Sequence, residues 1–402
     1  MHLEKTIRPL PGPRAILADS GGVYAGNALV GFLFACTGPV AILLSVGARG
    51  GLAEADIASW IFGGFFLNSL ITVAFSLAYR QPLVFLWSIP GSVLLGPALG
   101  HLAFSEVVGA FLATGALMFL LGLSGWVRRA MDAVPMPIVM AMVAGVFLRF
   151  GIGLVQSFRD DLALAFCMSA AWLACSAVPR LGRYLPPLIA ALAGGVAVIL
   201  IEGSSRTAGG PLLALVSPHF YAPRFSWSAM VELVLPLAIT VLTVQNAQGI
   251  AILTANGHRP PTNAITAACG VGAFFTGLVG SVSTCLTGPV NAVITSAGEK
   301  PRHYTAALAV AALSMGFGLL APLFTRLLLG TPPAFIAALA GLAMLRVLQT
   351  AFQISFRDKF SFGALVCFLV TVADLPIFHI GAPFWGLVLG LAASWLLERK
   401  ER

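Results

Sequence analysis

Three side-chain amides fall within four residues at Gln245-Asn246-Ala247-Gln248-Gly249, inside a long apolar stretch. An unpaired amide is costly in lipid, so this group must face a polar cavity or bond across helices. Two other stretches set hydroxyls beside a proline: Ser88-Ile89-Pro90-Gly91-Ser92, and Thr284-Cys285-Leu286-Thr287-Gly288-Pro289-Val290-Asn291. Proline has no amide hydrogen and biases the preceding residue away from the helical region. Each stretch therefore predicts an extended piece followed by a helix with proline in its first turn. A helix that begins inside a membrane presents unbonded N–H groups and about half a positive charge. Two such starts facing each other make a site for a small anion, built mainly from backbone amides. The hydroxyls of Ser88, Ser92, Thr284 and Thr287 stand ready as further donors, and neither stretch holds a Lys or Arg. The alternative is that these prolines merely kink ordinary helices. The candidate substrate-binding residues are Ser88, Pro90, Gly91, Ser92, Gln245, Asn246, Gln248, Thr284, Thr287, Gly288 and Asn291. Asn27, Asn68 and Thr37 are weaker candidates, each more simply read as interhelical bonding. Phe85, Trp87, Phe274 and Phe275 lie near the site in sequence and offer faces for an aromatic ring.

Other chemistries find no support in the sequence. The six cysteines fall inside apolar segments without a CxxC pair or a Cys/His cluster, and read as small buried hydrophobes. No nucleophile–base or metal-ligand constellation is evident, so neither an enzyme nor a bound cofactor is expected. Glu54, Glu106, Glu202 and Glu299 lie at the ends of apolar segments, Glu232 about a turn inside one, and Asp374 at the close of another. An acid at the bilayer centre costs about 2.5–3.5 kcal/mol. None stands clearly there, and the sequence names no proton-carrying carboxylate.

Composition dictates what must position these residues. The chain has 402 residues, 58% hydrophobic and 9% charged, with mean hydropathy +0.94. A soluble protein carries about 25% charged residues, so the solvent here is lipid. The net charge of +8 lies in short loops, with no basic stretch interleaved with aromatics; it speaks for membrane orientation and against nucleic acid. The expected class is an all-α polytopic membrane protein with fourteen transmembrane segments. They fall near 23–46, 55–79, 83–101, 105–127, 134–155, 161–178, 184–202, 229–253, 262–280, 283–298, 303–324, 332–351, 359–373 and 380–397. With the basic N-terminal tail inside, Arg80, Arg128, Arg129, Arg180, Arg183, Arg259, Lys300, Arg302, Arg357, Lys359, Arg399, Lys400 and Arg402 are also inside. Arg49, Arg159, Arg206, Arg224 and Arg326 are outside, while Arg149 and Arg346 are ambiguous. Both termini are thus expected in the cytoplasm. Glycines 270, 272, 277 and 280 predict close helix approach at span nine.

The chain also repeats itself. Ser157-Phe158-Arg159-Asp160 returns as Ser355-Phe356-Arg357-Asp358, and Pro137, Gly145 and Arg149 are echoed by Pro333, Gly341 and Arg346. Pro90-Gly91 and Gly288-Pro289 break their spans at matching places. Residues 1–202 read as a first repeat of seven spans, 203–228 as a connecting loop, and 229–402 as a second repeat. An odd number of spans inverts the second repeat, and paired broken spans in an inverted repeat mark a transporter's binding site.

At Gln81-Pro82 with Ile89-Pro90-Gly91 and Gly96 the chain resembles the benzoate/proton symporters of bacterial inner membranes. The resemblance continues at Pro135-Met136-Pro137-Ile138 to Ala144-Gly145, at Leu148-Arg149-Phe150-Gly151 and at Gln245-Asn246-Ala247-Gln248-Gly249, and covers nearly the whole length. That family is distantly similar to the nucleobase–ascorbate transporters. The resemblance implies a core domain of spans 1–4 and 8–11, and a gate domain of spans 5–7 and 12–14. It places substrate between the half-helices of spans three and ten, against span eight. The distant relatives carry acidic residues on spans eight and ten, where this chain has Asn246 and Thr287. That departure suits an anionic substrate, which a fixed carboxylate would repel. The implied activity is uptake of benzoate or a similar aromatic carboxylate by alternating access, with a proton as coupling ion, in a lipid setting. A homodimer is a further expectation. The alternatives are an anion channel, or a transporter of another small organic anion or a nucleobase.

Overall fold

Lipid offers the backbone no hydrogen-bond partners, so a chain this apolar satisfies its amides within helices. The computed structural model describes residues 3–7, 9–132, 135–178, 185–204, 214–296, 298–357, 359–375, 377 and 381–398. Arg180, Arg183, Arg206, Arg399, Lys400 and Arg402, used above for orientation, lie outside the described residues. Helix α1 (Pro13–Asp19) leads into α2 (Gly22–Cys36) and α3 (Gly38–Arg49), then α4 (Glu54–Tyr79). Strand β1 (Phe85–Trp87) and helix α5 (Ile89–Ala98) follow, then α6 (Phe104–Ser124), α7 (Val127–Asp132), α8 (Met136–Asp160), α9 (Leu162–Ala177) and α10 (Pro187–Glu202). The second part runs α11 (Trp227–Ala255), α12 (Thr262–Leu278), β2 (Thr284–Leu286), α13 (Gly288–Ile294), α14 (His303–Leu319), α15 (Ala321–Leu329), α16 (Pro333–Phe356), α17 (Ser361–Ala373) and α18 (Ala382–Leu397).

The fold is predominantly helical rather than all-α, because the extended pieces before the two broken helices pair with each other. Strands β1 and β2 run antiparallel with Phe85 opposite Leu286, Leu86 opposite Cys285 and Trp87 opposite Thr284. The ladder is lengthened at both ends: Ser88 N–H donates to the Ser283 carbonyl, and Thr287 N–H to the Val84 carbonyl, each at 3.0 Å. The helices begin where proline allows, with Pro90 and Pro289 in their first turns.

Among the described residues, six helices can cross a membrane by length and apolarity: Gly22–Arg49 taken through its break, α4, α6, α8, α11 and α16. The stretch Lys300–Leu319 with α15 makes a seventh if its 67° bend is allowed within one span. This bend corrects the expected straight span to residue 324: Pro322, in the first turn of α15, removes an N–H that a continuous helix needs. Helices α5, α9, α10, α12, α17 and α18 are apolar but shorter, and the tenth expected span holds only the seven helical residues of α13.

Close packing falls where the glycines are. A Cβ on Gly270 would collide with the backbone of Phe119 and Gly115, and one on Gly272 would lie 2.5 Å from Thr284 Oγ1. Helix α12 therefore seats directly on α6 and on β2. Helices α8 and α16 cross just as tightly: a Cβ on Gly341 would lie 2.5 Å from Leu154 Cβ and 2.7 Å from the Phe150 carbonyl.

Candidate functional site

Helix α11 carries the amides, and its winding decides where they point. It widens into π turns at Met230–Val234 and Thr240–Asn246. Such wide turns shift the faces that successive residues present and are frequent at functional sites. The amide group is divided between two faces, as helical spacing of three and of one residue divides it. Gln245 and Gln248 reach a cavity of about 1150 Å³, with Thr243 and Ala251 on the same wall. Asn246 turns the other way and is fully buried. Its Oδ1 accepts the Leu286 N–H at 2.8 Å, while Nδ2 approaches Cys269 Sγ at 3.5 Å.

The remaining predicted residues divide in the same manner. Pro90 and Pro289 stand on the cavity wall at the starts of α5 and α13. Ser88 caps α5, its Oγ accepting the Gly91 N–H at 3.1 Å, and Ser92 Oγ donates back to the Ser88 carbonyl at 3.1 Å. Thr284 Oγ1 donates to Asn68 Oδ1 at 2.7 Å. Asn291 accepts the Val84 N–H on Oδ1 at 3.2 Å and donates from Nδ2 to the Thr287 carbonyl at 2.7 Å. Gly91, Ser88, Ser92, Thr284, Thr287, Gly288 and Asn291 are not among the wall residues. They organise the crossing beneath the wall. Asn246 and Asn291 act alike there, each giving an acceptor to an extended strand's free N–H. Gly288 bears on the wall indirectly, because Gln248 lies across it: a Cβ at 288 would stand 2.5 Å from Gln248 Oε1.

The aromatic faces come from elsewhere than the sequence suggested. Phe274 and Phe275 are exposed on the outside of α12, and Phe85 and Trp87 are buried in the core. The wall is instead made apolar by Phe34, Met140, Phe147 and Trp172, drawn from α2, α8 and α9. Thr37, a weak candidate, is on the wall at a true helix break. Its backbone departs to φ −95 and ψ −92 before Gly38-Pro39, and its Oγ1 donates to the Leu33 carbonyl at 2.9 Å. Arg346 was missed altogether as a site residue. It belongs to a stripe on α16 formed by Leu342, Ala343, Arg346, Val347, Thr350 and Ile354, a spacing that marks one helix face. Among the described wall residues it is the single charged side chain. In the loop after α11, burial and the neighbouring His303 and Lys300 push His258 down to about 4, so it adds no charge at neutral pH.

The arrangement is an apolar chamber with amides and two prolines along one side and one cation on another. Such a chamber can take up a flat, partly polar organic molecule; no cluster of metal-ligating side chains occurs among the described residues. A family model described as benzoate membrane transport protein matches residues 18–396. The inner membrane protein YdcO of Escherichia coli is 32% identical over 370 residues, covering 90% of this chain and 93% of that protein. The benzoate membrane transport protein of Acinetobacter baylyi is 27% identical over 377 residues, covering 92% and 93%. Among solved structures, the transmembrane domain of a cyanobacterium bicarbonate transporter, BicA, superposes with TM-score 0.61 at 15% identity, covering 92% of this chain and 97% of that one. SLC26A9 gives TM-score 0.65 at 15% identity, covering 92% of this chain; the chain spans 64% of its length. These likenesses show the fold.

Proposed function

The chain belongs to the benzoate membrane transport family, a family of membrane transporters rather than enzymes, and from that premise we propose that it imports benzoate or a similar aromatic carboxylate across a bacterial inner membrane. The observation that carries the reading is the chamber itself. Its apolar wall of Phe34, Phe147 and Trp172 suits a ring, and Gln245 and Gln248 at the broken helices suit a polar group. We read fourteen spans as a 7+7 inverted repeat, residues 1–202 and 229–402 about the 203–228 connection. The six shorter apolar helices, counting α5 with its strand, and α13 with β2 complete the number. The chamber is walled by α8, α9, α10 and α16 on one side, and by α2, α5, α11 and α13 on the other. This supports a gate domain moving against a core domain. The wall residues come from the beginning of α8, the end of α9 and the second half of α11, which in this topology is the cytoplasmic side. The described state is then the inward-facing one of an alternating-access cycle, with a proton as the coupling ion and substrate as the partner.

Purified protein in proteoliposomes is expected to accumulate benzoate above the external concentration when an inward proton gradient is imposed. A protonophore should abolish that accumulation. Uptake that never exceeds equilibrium and does not saturate would mean an anion channel instead. The topology is tested separately, with Arg224→Cys and Lys300→Cys each placed in a cysteine-free background. A membrane-impermeant maleimide added to intact cells should label position 224 and leave position 300 unlabelled. Labelling of both would end the inverted-repeat reading.

A further inference from the structure

Among the described wall residues of the chamber, one carries a charge. Arg346 stands near the middle of the 24-residue helix α16. Its side chain is exposed, and a charge on an apolar helix is costly where it meets lipid, about 2.5–3.5 kcal/mol at the bilayer centre on insertion scales. It is kept in place of an apolar residue only where a cavity and a partner offset that cost. The cavity is present: Arg346 lies on its wall between Ala343 and Val347. Ala343 packs on Gly38, at the break of the first span, where a Cβ would collide with it. Three residues further along a helix is about 4.5 Å, so the Arg346 backbone stands roughly one turn from the break of the first span.

Among the described residues, none neutralises this charge. Nη1 donates to Gln349 Oε1 at 3.2 Å, and among the described residues no carboxylate lies within ion-pair distance. Its echo in the first repeat behaves oppositely, for Arg149 is ion-paired with Asp374. One arginine of the pair has thus been given an internal acid, and the other has been left with a neutral amide that orients it. A planar guanidinium with free N–H groups matches a carboxylate in geometry and charge. The other described wall residues are apolar or neutral, and beside them that attraction is screened less than in water.

We propose that Arg346 receives the carboxylate of the transported aromatic acid and is the residue by which this protein distinguishes an acid from its neutral amide. The proposal rests on the transport reading above and gives its site a charge that the half-helix starts alone do not supply. Because Arg346 comes from α16 while Gln245 and Gln248 come from α11, a bound acid touches both walls and links their movement.

The test is binding to the purified full-length protein, followed by Trp172 fluorescence or calorimetry, with benzoate and benzamide as probes. Arg346→Gln is expected to weaken benzoate binding at least about tenfold, about 1.4 kcal/mol, and to leave benzamide binding unchanged. Arg346→Lys should recover part of the loss. Size-exclusion and thermal unfolding report whether each variant is folded. Wild-type protein supplies a second measurement that needs no variant: phenylglyoxal should modify Arg346, and benzoate but not benzamide should protect it. Arg346→Gln binding benzoate as tightly as wild type, or protection by both probes alike, overturns the assignment while leaving the transport reading intact. Wild-type protein that binds no aromatic acid overturns both.

Discussion

Asn246→Ala is expected to lower the thermal unfolding midpoint and benzoate uptake together, whereas Gln248→Ala lowers uptake alone. The two residues are neighbours in one amide cluster, yet they do different work. Asn246 is fully buried, and its Oδ1 is the acceptor that satisfies the Leu286 N–H at 2.8 Å. Removing it strands that amide inside the protein, at a cost of about 1–3 kcal/mol. The loss falls on β2, and so on the crossing that fixes both broken helices. Gln248 is exposed on the cavity wall and has no hydrogen bond to the described residues, so truncating it leaves the fold's bonds in place. Uptake should nevertheless fall at least about tenfold, about 1.4 kcal/mol of lost substrate interaction. Thermal unfolding in detergent and uptake into proteoliposomes, measured on the same preparations, separate the two effects. Equal midpoints for the two variants would show that the division of the cluster is wrong.

That division marks the boundary of what the sequence discloses. Proline and glycine act on their own backbone, so the breaks at Pro90 and Gly288-Pro289 could be placed from local chemistry, and the starts of α5 and α13 lie there. The pairing of the two extended pieces joins residues two hundred positions apart, and local rules do not reach it. Ser88 and Ser92 bond locally at the start of α5, as a cap there would, whereas the crossing role of Thr284 is not legible because its partner Asn68 lies on α4 in the other repeat. A normal helical period already sets Gln245 and Gln248 on one face and Asn246 on another, but it does not say which of the two faces meets a cavity and which meets β2. From the sequence alone Arg346 reads as a residue near a span end. Only the packing of α16 against the first span's break shows that its face is the cavity's. The chamber's aromatic lining was invisible for a similar reason: Phe34, Phe147 and Trp172 belong to three helices with no shared motif.

Gly288→Val is expected to cut uptake by roughly thirtyfold, about 2 kcal/mol by the usual cost of overfilling a packed site. Gly288 is not needed for its backbone freedom, since its φ is not positive. It is needed for space. A Cβ there would stand 2.5 Å from Gln248 Oε1 and 2.7 Å from both Cδ and Cγ of the same side chain. The obstacle is a flexible side chain rather than backbone, so the protein accommodates the larger residue by moving Gln248 off the start of α13. The fold survives, and the wall loses its amide at the place where a polar group of the substrate would meet it. Gly288→Ala tests this more finely, because the three atoms nearest its single methyl all belong to Gln248. In the wild-type background it should reduce uptake about as much as Gln248→Ala does. In the Gln248→Ala background the obstacle is gone, and the same substitution should add almost nothing. Coupling of this kind between touching residues runs to about 0.5–3 kcal/mol. The four proteins of that cycle, assayed for benzoate uptake, decide the matter: losses that simply add would mean that Gly288 acts on transport through something other than Gln248.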